Sequence, residues 1–380
     1  MSRPVAAEEF AGDHIVLVGG GHAHLYIASH AERLQELGAR VTLIAPGDTG
    51  YSGMASGVLG GLYQPGENRI DPARVARASG VHYRADRVTG LDPAQRLLRL
   101  EGGERLAYDR VSFNVGSVVD VPAASPGGPR VWPVKPVTGL AELRAVLLEE
   151  LGTQEGEAPE VVVLGGGATG SEVTANLLAL RGPQSQRPGV TVVERDGRLL
   201  PVAPASAALA LAGRLRQRGA RVLTATRFEG LTNDGIRTDR GPVAARHVIV
   251  ATGLLAPALV EQLGVPADRS GGIHVDETLR SPADERVFAV GDCAAFLPSP
   301  LPRIGVFGVR QAPILLRNLA AAVSGNQPIA YRPQRRWLSI LDLGDGTGLL
   351  LYGRLWFIGR PAQWLKQWLD RRFVRSFRHS

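Results

Sequence analysis

Two apolar runs that each break into a glycine-rich turn, and a third that ends in Gly-Asp, predict an α/β fold with two Rossmann-like dinucleotide-binding domains. The first run is His14-Ile15-Val16-Leu17-Val18, followed by Gly19-Gly20-Gly21-His22-Ala23-His24. The second, 146 residues on, is Val161-Val162-Val163-Leu164, followed by Gly165-Gly166-Gly167-Ala168-Thr169-Gly170. The third leads into Gly291-Asp292. A buried parallel strand that ends in GxGxxG and opens a helix lets backbone amides approach a pyrophosphate at the helix's positive end. Two such turns imply two dinucleotides on one chain.

In chain order, residues 15–18 read as a buried strand, 23–37 as a helix and 40–45 as the next strand, the spacing of a nucleotide-binding half. Tyr51-Ser52-Gly53-Met54 and a glycine-rich stretch to Gly61 follow. Residues 81–115 hold three strand-like runs with turns at Asp92-Pro93 and Gly102-Gly103, which predicts a meander rather than a crossover. The proline-rich stretch 122–136 reads as a linker. The second unit starts at Val161, with a helix expected over 171–180, a strand over 190–194 and alternation again over 221–250. The chain then returns to the first unit through residues 287–292 and a helix over 305–323. The inserted domain is therefore expected at 121–252, within a first domain made of 13–120 and 253–325, with an appendage at 326–380.

At 380 residues and 44% hydrophobic content the chain can bury two or three cores, which sets disorder aside. Its single cysteine, Cys293, excludes a disulfide framework, a CxxC pair and a cysteine-rich zinc site, and makes the reducing cytoplasm the expected location. His22 and His24 have no nearby Cys or carboxylate to complete a metal site, so no metal is expected. No uncharged apolar run approaches the ~20 residues of a spanning helix, and the first residues, with Glu8 and Glu9, contain no signal-peptide core.

Charge is unevenly placed. Residues 331–380 carry ten basic side chains against three acidic ones, an excess equal to the chain's whole formal charge of +7. The body of the protein is thus neutral, and nucleic-acid binding gains no support. In the tail, Trp364, Leu365, Trp368, Leu369, Phe373, Val374 and Phe377 recur at helical spacing, while Lys366, Arg371, Arg375 and Arg378 fall largely elsewhere around the helix. That pattern predicts a basic amphipathic helix over 361–378 lying on an anionic membrane surface, with packing on the domain or on a second subunit as the alternative.

The two GxGxxG-type turns, Ala251-Thr252-Gly253 and the Gly291-Asp292 segment resemble the pyridine nucleotide-disulfide oxidoreductase superfamily over roughly residues 13–325. Within it, Gly19 to His24, Tyr51-Ser52-Gly53-Met54 and the aromatic tail look like a narrower group. That group is similar to type II NADH dehydrogenases and is also found fused ahead of selenophosphate synthetase. The resemblance implies FAD in the discontinuous domain and NADH or NADPH in the inserted one.

Residue by residue, it implies that Gly19, Gly21, His22 and Ala23 admit the FAD pyrophosphate and that Gly291-Asp292 holds the flavin's ribityl chain. His24 takes the third glycine position, where a side chain is expected to loosen helix–strand packing. Ala45 stands where a ribose-binding Glu is usual, which leaves Asp48 as a candidate for that contact. Gly165, Gly167 and Gly170 complete the second fingerprint. Glu194, at the end of the next strand, would accept from the adenosine ribose and repel a 2′-phosphate, favouring NADH. Glu172 matches a position near the nicotinamide in type II NADH dehydrogenases. Gln311 matches one of two glutamines near their quinone, and Phe307 replaces the other. Without a cysteine pair after the first unit, electrons must leave the flavin directly. The expected activity is NADH oxidation through FAD to a quinone-like acceptor. A soluble acceptor (a redox protein, or a selenium or sulfur compound) and a flavin-binding sensor are the rivals, and a homodimer is compatible with all three.

Overall fold

The computed structural model describes residues 12–123, 126–152 and 158–378. Its first sheet begins with β1 (His14–Val18), buried along its whole length as a strand covered on both faces must be. Helix α1 (His22–Ala28) follows, and β2 (Arg40–Ile44) returns parallel to β1 with Val18 opposite Ile44. The helix expected to run to residue 37 is broken, and only a four-residue turn, Glu32–Gln35, continues it. Ser29 Oγ and His30 Nδ1 both bond the Tyr26 carbonyl at 2.9 Å, and these side chains compete with the helical ladder at that point. Beyond the short helix α2 (Ala55–Gly60), β3 (His82–Arg84) pairs with β2. The meander over Val88–Asp92, Leu97–Leu100 and Arg105–Ala107 forms as the alternation predicts, and β4 (Arg110–Phe113) then lies on the other side of β1.

The second sheet is parallel throughout. It takes β5 (Arg130–Pro133), β6 (Glu160–Leu164), β7 (Gly189–Val193), β8 (Arg221–Leu223) and β9 (His247–Val250) in the order β5-β9-β6-β7-β8, and α3 (Ala168–Leu177) follows β6. Strand β5 lies inside the stretch read as a linker. It is the sheet's edge, where flanking prolines cost no ladder hydrogen bond, and those prolines hid it in the sequence. After this sheet, β10 (Val287–Ala289) inserts beside β4 in the first sheet, and α4 (Gly305–Ser324) packs on α1.

Three antiparallel strands, β11 (Leu338–Asp342), β12 (Gly348–Tyr352) and β13 (Leu355–Gly359), and helix α5 (Arg360–Arg378) complete the chain. They join both cores. Leu341 and Leu349 are buried with the second sheet, and Val374 and Phe377 with the first. Helix α5 is not divided into an aromatic and a cationic face. Ala362, Gln363, Lys366, Asp370, Val374 and Phe377 turn inward, while Trp364 (65% exposed) and Trp368 (55%) share the outer face with Arg371, Arg372 and Arg375. Lys366 is buried because carboxylates inside the molecule receive it. No described helix is long and apolar enough to cross a membrane.

Candidate active site

The two glycine turns have the same geometry. Gly19 and Gly165 sit at φ +98° and +102°, and each donates its amide at 2.8 Å to the last residue of the neighbouring strand, Ile44 and Val193. A Cβ on Gly19 would stand 2.5 Å from the Asn114 carbonyl oxygen, and one on Gly165 2.8 Å from that of Ala251, so both positions require glycine. The turns differ at the third position. Gly170 lies directly on the Gly165 carbonyl, where a Cβ would collide. Its counterpart His24 instead buries its ring, donates from Nδ1 to Gly19 O at 2.9 Å and accepts Ser112 Oγ on Nε2 at 2.9 Å. The imidazole therefore ties helix to strand rather than loosening them. Burial holds it neutral, with a pKa lowered to about 3.

Asn114, at the end of β4, organises the first turn and was not legible as a site residue. Its Oδ1 accepts Ala23 N at 3.1 Å and its Nδ2 donates to Val290 O at 2.9 Å, so one amide joins the start of α1 to the end of β10. The polar residue directly after the apolar run of β4 was the available signal. His22 is half-buried, edge-on to Tyr51 and Phe373, and its buried Nε2 has no protein partner among the described residues. Burial lowers its pKa to about 4, so the ring is neutral.

Gly291, at φ +70°, donates to Gln311 Oε1 at 2.8 Å. Gln311 is thus a buried support of the Gly-Asp turn. Asp292 Oδ2 accepts Lys135 Nζ at 2.6 Å and Ser117 Oγ at 2.7 Å, while Oδ1 accepts from none of the described residues. Cys293 lies behind it, fully buried, its thiol pushed up to about 11 by burial and therefore unreactive.

In the second unit, Glu194 Oε2 accepts Gly166 N at 2.5 Å and Oε1 accepts Asp196 N at 2.8 Å. The carboxylate is fixed against the turn. Its equivalent in the first unit is Ala45, 3.3 Å from a Cβ placed on Gly20, while Asp48 stands half exposed and 3.9 Å from Arg69.

Glu172 lies on α3 just past its first turn, under the appendage. Its Oε1 accepts Asp342 N at 2.7 Å and is 3.8 Å from Lys366 Nζ, which also reaches Asp370 Oδ2 at 3.0 Å and the Gly53 carbonyl at 2.5 Å. Tyr51 and Tyr63 donate to the two oxygens of Asp370 at 3.1 and 3.0 Å. Burial raises Glu172 to about 7, against the pull of Lys366. Burial alone would lower Lys366, but Glu172 and Asp370 reverse the sign and keep it charged. Residues from both halves and the tail thus surround one carboxyl that titrates near neutrality. No part of this cluster beyond Glu172 was legible in the sequence.

A Cβ on Gly167 would meet nothing within 4 Å, so the second turn is open to a ligand's backbone. In the first, the unpartnered His22 Nε2 and the free Asp292 Oδ1 suit the phosphate and polyol of FAD. Two glycine turns of one geometry, a Gly-Asp turn and a neutral-range carboxyl are the features of a two-dinucleotide oxidoreductase. A family model described as pyridine nucleotide-disulphide oxidoreductase matches residues 13–314, and the chain belongs to that family. It is an oxidoreductase whose cofactors are FAD and NAD(P)H.

The chain is 34% identical over 150 residues to the type II NADH:quinone oxidoreductase of Haemophilus influenzae, a match spanning 37% of this chain and 34% of that protein. It is 27% identical over 338 residues to a probable ferredoxin reductase of Castellaniella defragrans, covering 83% and 76%. Among solved structures, NDH2 from Plasmodium falciparum in complex with NADH shares the fold with a TM-score of 0.80 at 14% identity, over 96% of this chain and 97% of that one.

Proposed function

We propose that the protein oxidises NADH and passes two electrons through FAD to a quinone-like acceptor at an anionic membrane surface. The observation that carries this reading is the pairing of two dinucleotide turns with a single buried, inert cysteine, which leaves no dithiol relay between flavin and acceptor. Residues 13–120 and 253–325 would hold FAD through Gly19, Gly21, His22, Ala23, Gly291 and Asp292. Residues 121–252 would hold NADH through Gly165, Gly167, Gly170 and Glu194. Bound FAD supplies the hydride-accepting and electron-donating chemistry. The protein's part would be to hold the nicotinamide against the flavin and to exclude water.

Glu172, with a pKa of about 7, can hold or release a proton at neutral pH, which suits the proton that accompanies two-electron reduction of a quinone. Gln311 acts through the Gly-Asp turn that it supports. The appendage, 326–380, presents Trp364, Trp368 and three arginines outward, a composition that favours an anionic bilayer on the inner face of the cell membrane. The homologous ferredoxin reductase supports a second reading, a soluble redox protein as acceptor.

The flavin absorbance near ~450 nm, followed anaerobically in the intact holoenzyme, tests both. Bleaching by NADH and rapid recovery with a soluble quinone is expected. Bleaching with recovery only on adding a small iron–sulfur protein favours the second reading. No bleaching by NADH or NADPH refutes the hydride-donor assignment.

A further inference from the structure

The chain has 43 basic side chains, and only Lys135 and Lys366 among them are lysines. Both lie against carboxylates in the interior, and Lys366 belongs to the Glu172 cluster. Lys135 follows β5, where the chain passes from the first sheet to the second. Its Nζ is 2.6 Å from Asp292 Oδ2 and 2.5 Å from Ser117 Oγ, with the side chains of Lys135 and Asp292 21% and 13% exposed. An ammonium has three donors, and two are used here. The half-buried imidazole of His22, at the head of α1, is close enough to feel both Asp292 and Lys135. The cation therefore stands where the C-terminal ends of β1, β4 and β10 converge, the place at which an open α/β sheet binds its ligand.

Arginine serves nearly everywhere else in the sequence. A planar guanidinium fork needs more room than a compact ammonium held between one carboxylate oxygen and one hydroxyl, so lysine at this position marks a restricted seat. The seat is also electrically specific. Asp292 and Ser117 fix the cation, Asp292 offsets its charge in part, and one N–H is left without an acceptor among the described residues.

We propose that Lys135 is the fixed cation of the flavin pocket, a positioning residue that favours the reduced, anionic flavin over the oxidised one and so raises its reduction potential. The proposal rests on the reading that FAD occupies the first glycine turn. The ammonium, offset in part by Asp292, adds to the half-charge of the α4 N-terminus, and removing it would leave the Asp292 carboxylate unpaired, which disfavours an anionic flavin further. The sign follows from electrostatics. A nearby cation stabilises whichever cofactor state carries more negative charge, so removing it lowers the midpoint.

The test uses the FAD-loaded full chain as parent, Lys135→Met, Lys135→Gln and Lys135→Arg, with midpoints read by equilibration against redox dyes and FAD retention by fluorescence of released flavin. Lys135→Gln keeps hydrogen-bonding capacity toward Asp292 and Ser117 but removes the charge, so it separates electrostatics from scaffolding should Lys135→Met fail to fold. The Met and Gln forms are expected to lower the two-electron midpoint by about 30 to 60 mV, a ten- to hundredfold change in the reduction equilibrium, with a smaller shift for Arg. A Lys135→Gln holoenzyme at the parental midpoint with parental FAD retention overturns the proposal. A Lys135→Arg form shifted as far as Lys135→Gln also overturns it, because charge would then not be the operative property. Acceptor identity does not enter these readouts. A parent that holds FAD but is never bleached by NADH sinks the dehydrogenase reading alone, and a parent that does not bind FAD sinks both.

Discussion

Lys366→Met should destabilise the fold by about 3–5 kcal/mol at pH 8, the usual consequence of removing one partner from a buried ion pair. The ammonium is 6% exposed, 3.0 Å from Asp370 and 3.8 Å from Glu172. At an effective dielectric of about 20 those separations correspond to gross attractions of ~5.5 and ~4.4 kcal/mol. The net loss is smaller because Tyr51 and Tyr63 still donate to Asp370, and because Glu172 can take up a proton. The pH dependence has a definite sign. Glu172's folded-state pKa is raised from 4.5 to about 7, so its contribution to stability is full below 4.5 and is lost as pH rises toward 7. Removing Lys366 pushes that pKa higher still, so the deficit must be larger at pH 8 than at pH 6, where the carboxyl is already largely neutral. Urea denaturation followed by tryptophan fluorescence at the two values measures it. Adding Glu172→Gln to the variant should recover roughly 1–3 kcal/mol at pH 8. A deficit below about 1 kcal/mol at pH 8, or one that grows toward pH 6, refutes the reasoning.

Glu172→Gln should lower acceptor reduction roughly a hundredfold and remove the fall in rate expected of the parent as pH rises through about 7; a pH–rate profile decides it. Gly165→Ala forces a side chain into φ +102° and against the Ala251 carbonyl, a strain of about 1–3 kcal/mol, so KM for NADH should rise while FAD content is unchanged. Glu194→Ala should raise KM for NADH about tenfold, ~1.4 kcal/mol, with little effect on NADPH, as steady-state assays with both nucleotides would show. The double change Trp364→Ser and Trp368→Ser should abolish co-flotation with anionic vesicles and leave turnover with a soluble quinone intact.

What the sequence revealed and what it hid divide along a physical line. The buried strands of both sheets and the glycine turns were legible because a strand covered on both faces must be continuously apolar and a turn in left-handed φ needs glycine. The meander was legible from its period of two. Strand β5 was not, since an edge strand tolerates prolines that elsewhere signal a linker. Helix α1 ended early because Ser29 and His30 offer the Tyr26 carbonyl other partners, a contest decided by side-chain geometry. Glu172 could be placed from its distance to Gly170. Lys366, Asp370, Tyr51, Tyr63 and Asp342 could not be joined to it, since they come from four parts of the chain and only tertiary structure brings them together. The tail's periodicity located helix α5 but assigned Lys366 to the wrong side, because spacing alone cannot show that carboxylates wait inside the fold.

The Asn114 amide has a consequence for how the molecule is made. It joins Ala23 to Val290, so the wall of the first pocket is unfinished until β10 has been synthesised. The second sheet draws all its strands from residues 130–250 and can close while β10 is still unmade. At roughly 5–20 residues per second, translation of the stretch between β4 and β10 takes on the order of ten seconds or more. During that interval the nascent chain can carry a finished nucleotide module inside an unfinished one, and FAD capture becomes a late, post-insertion event.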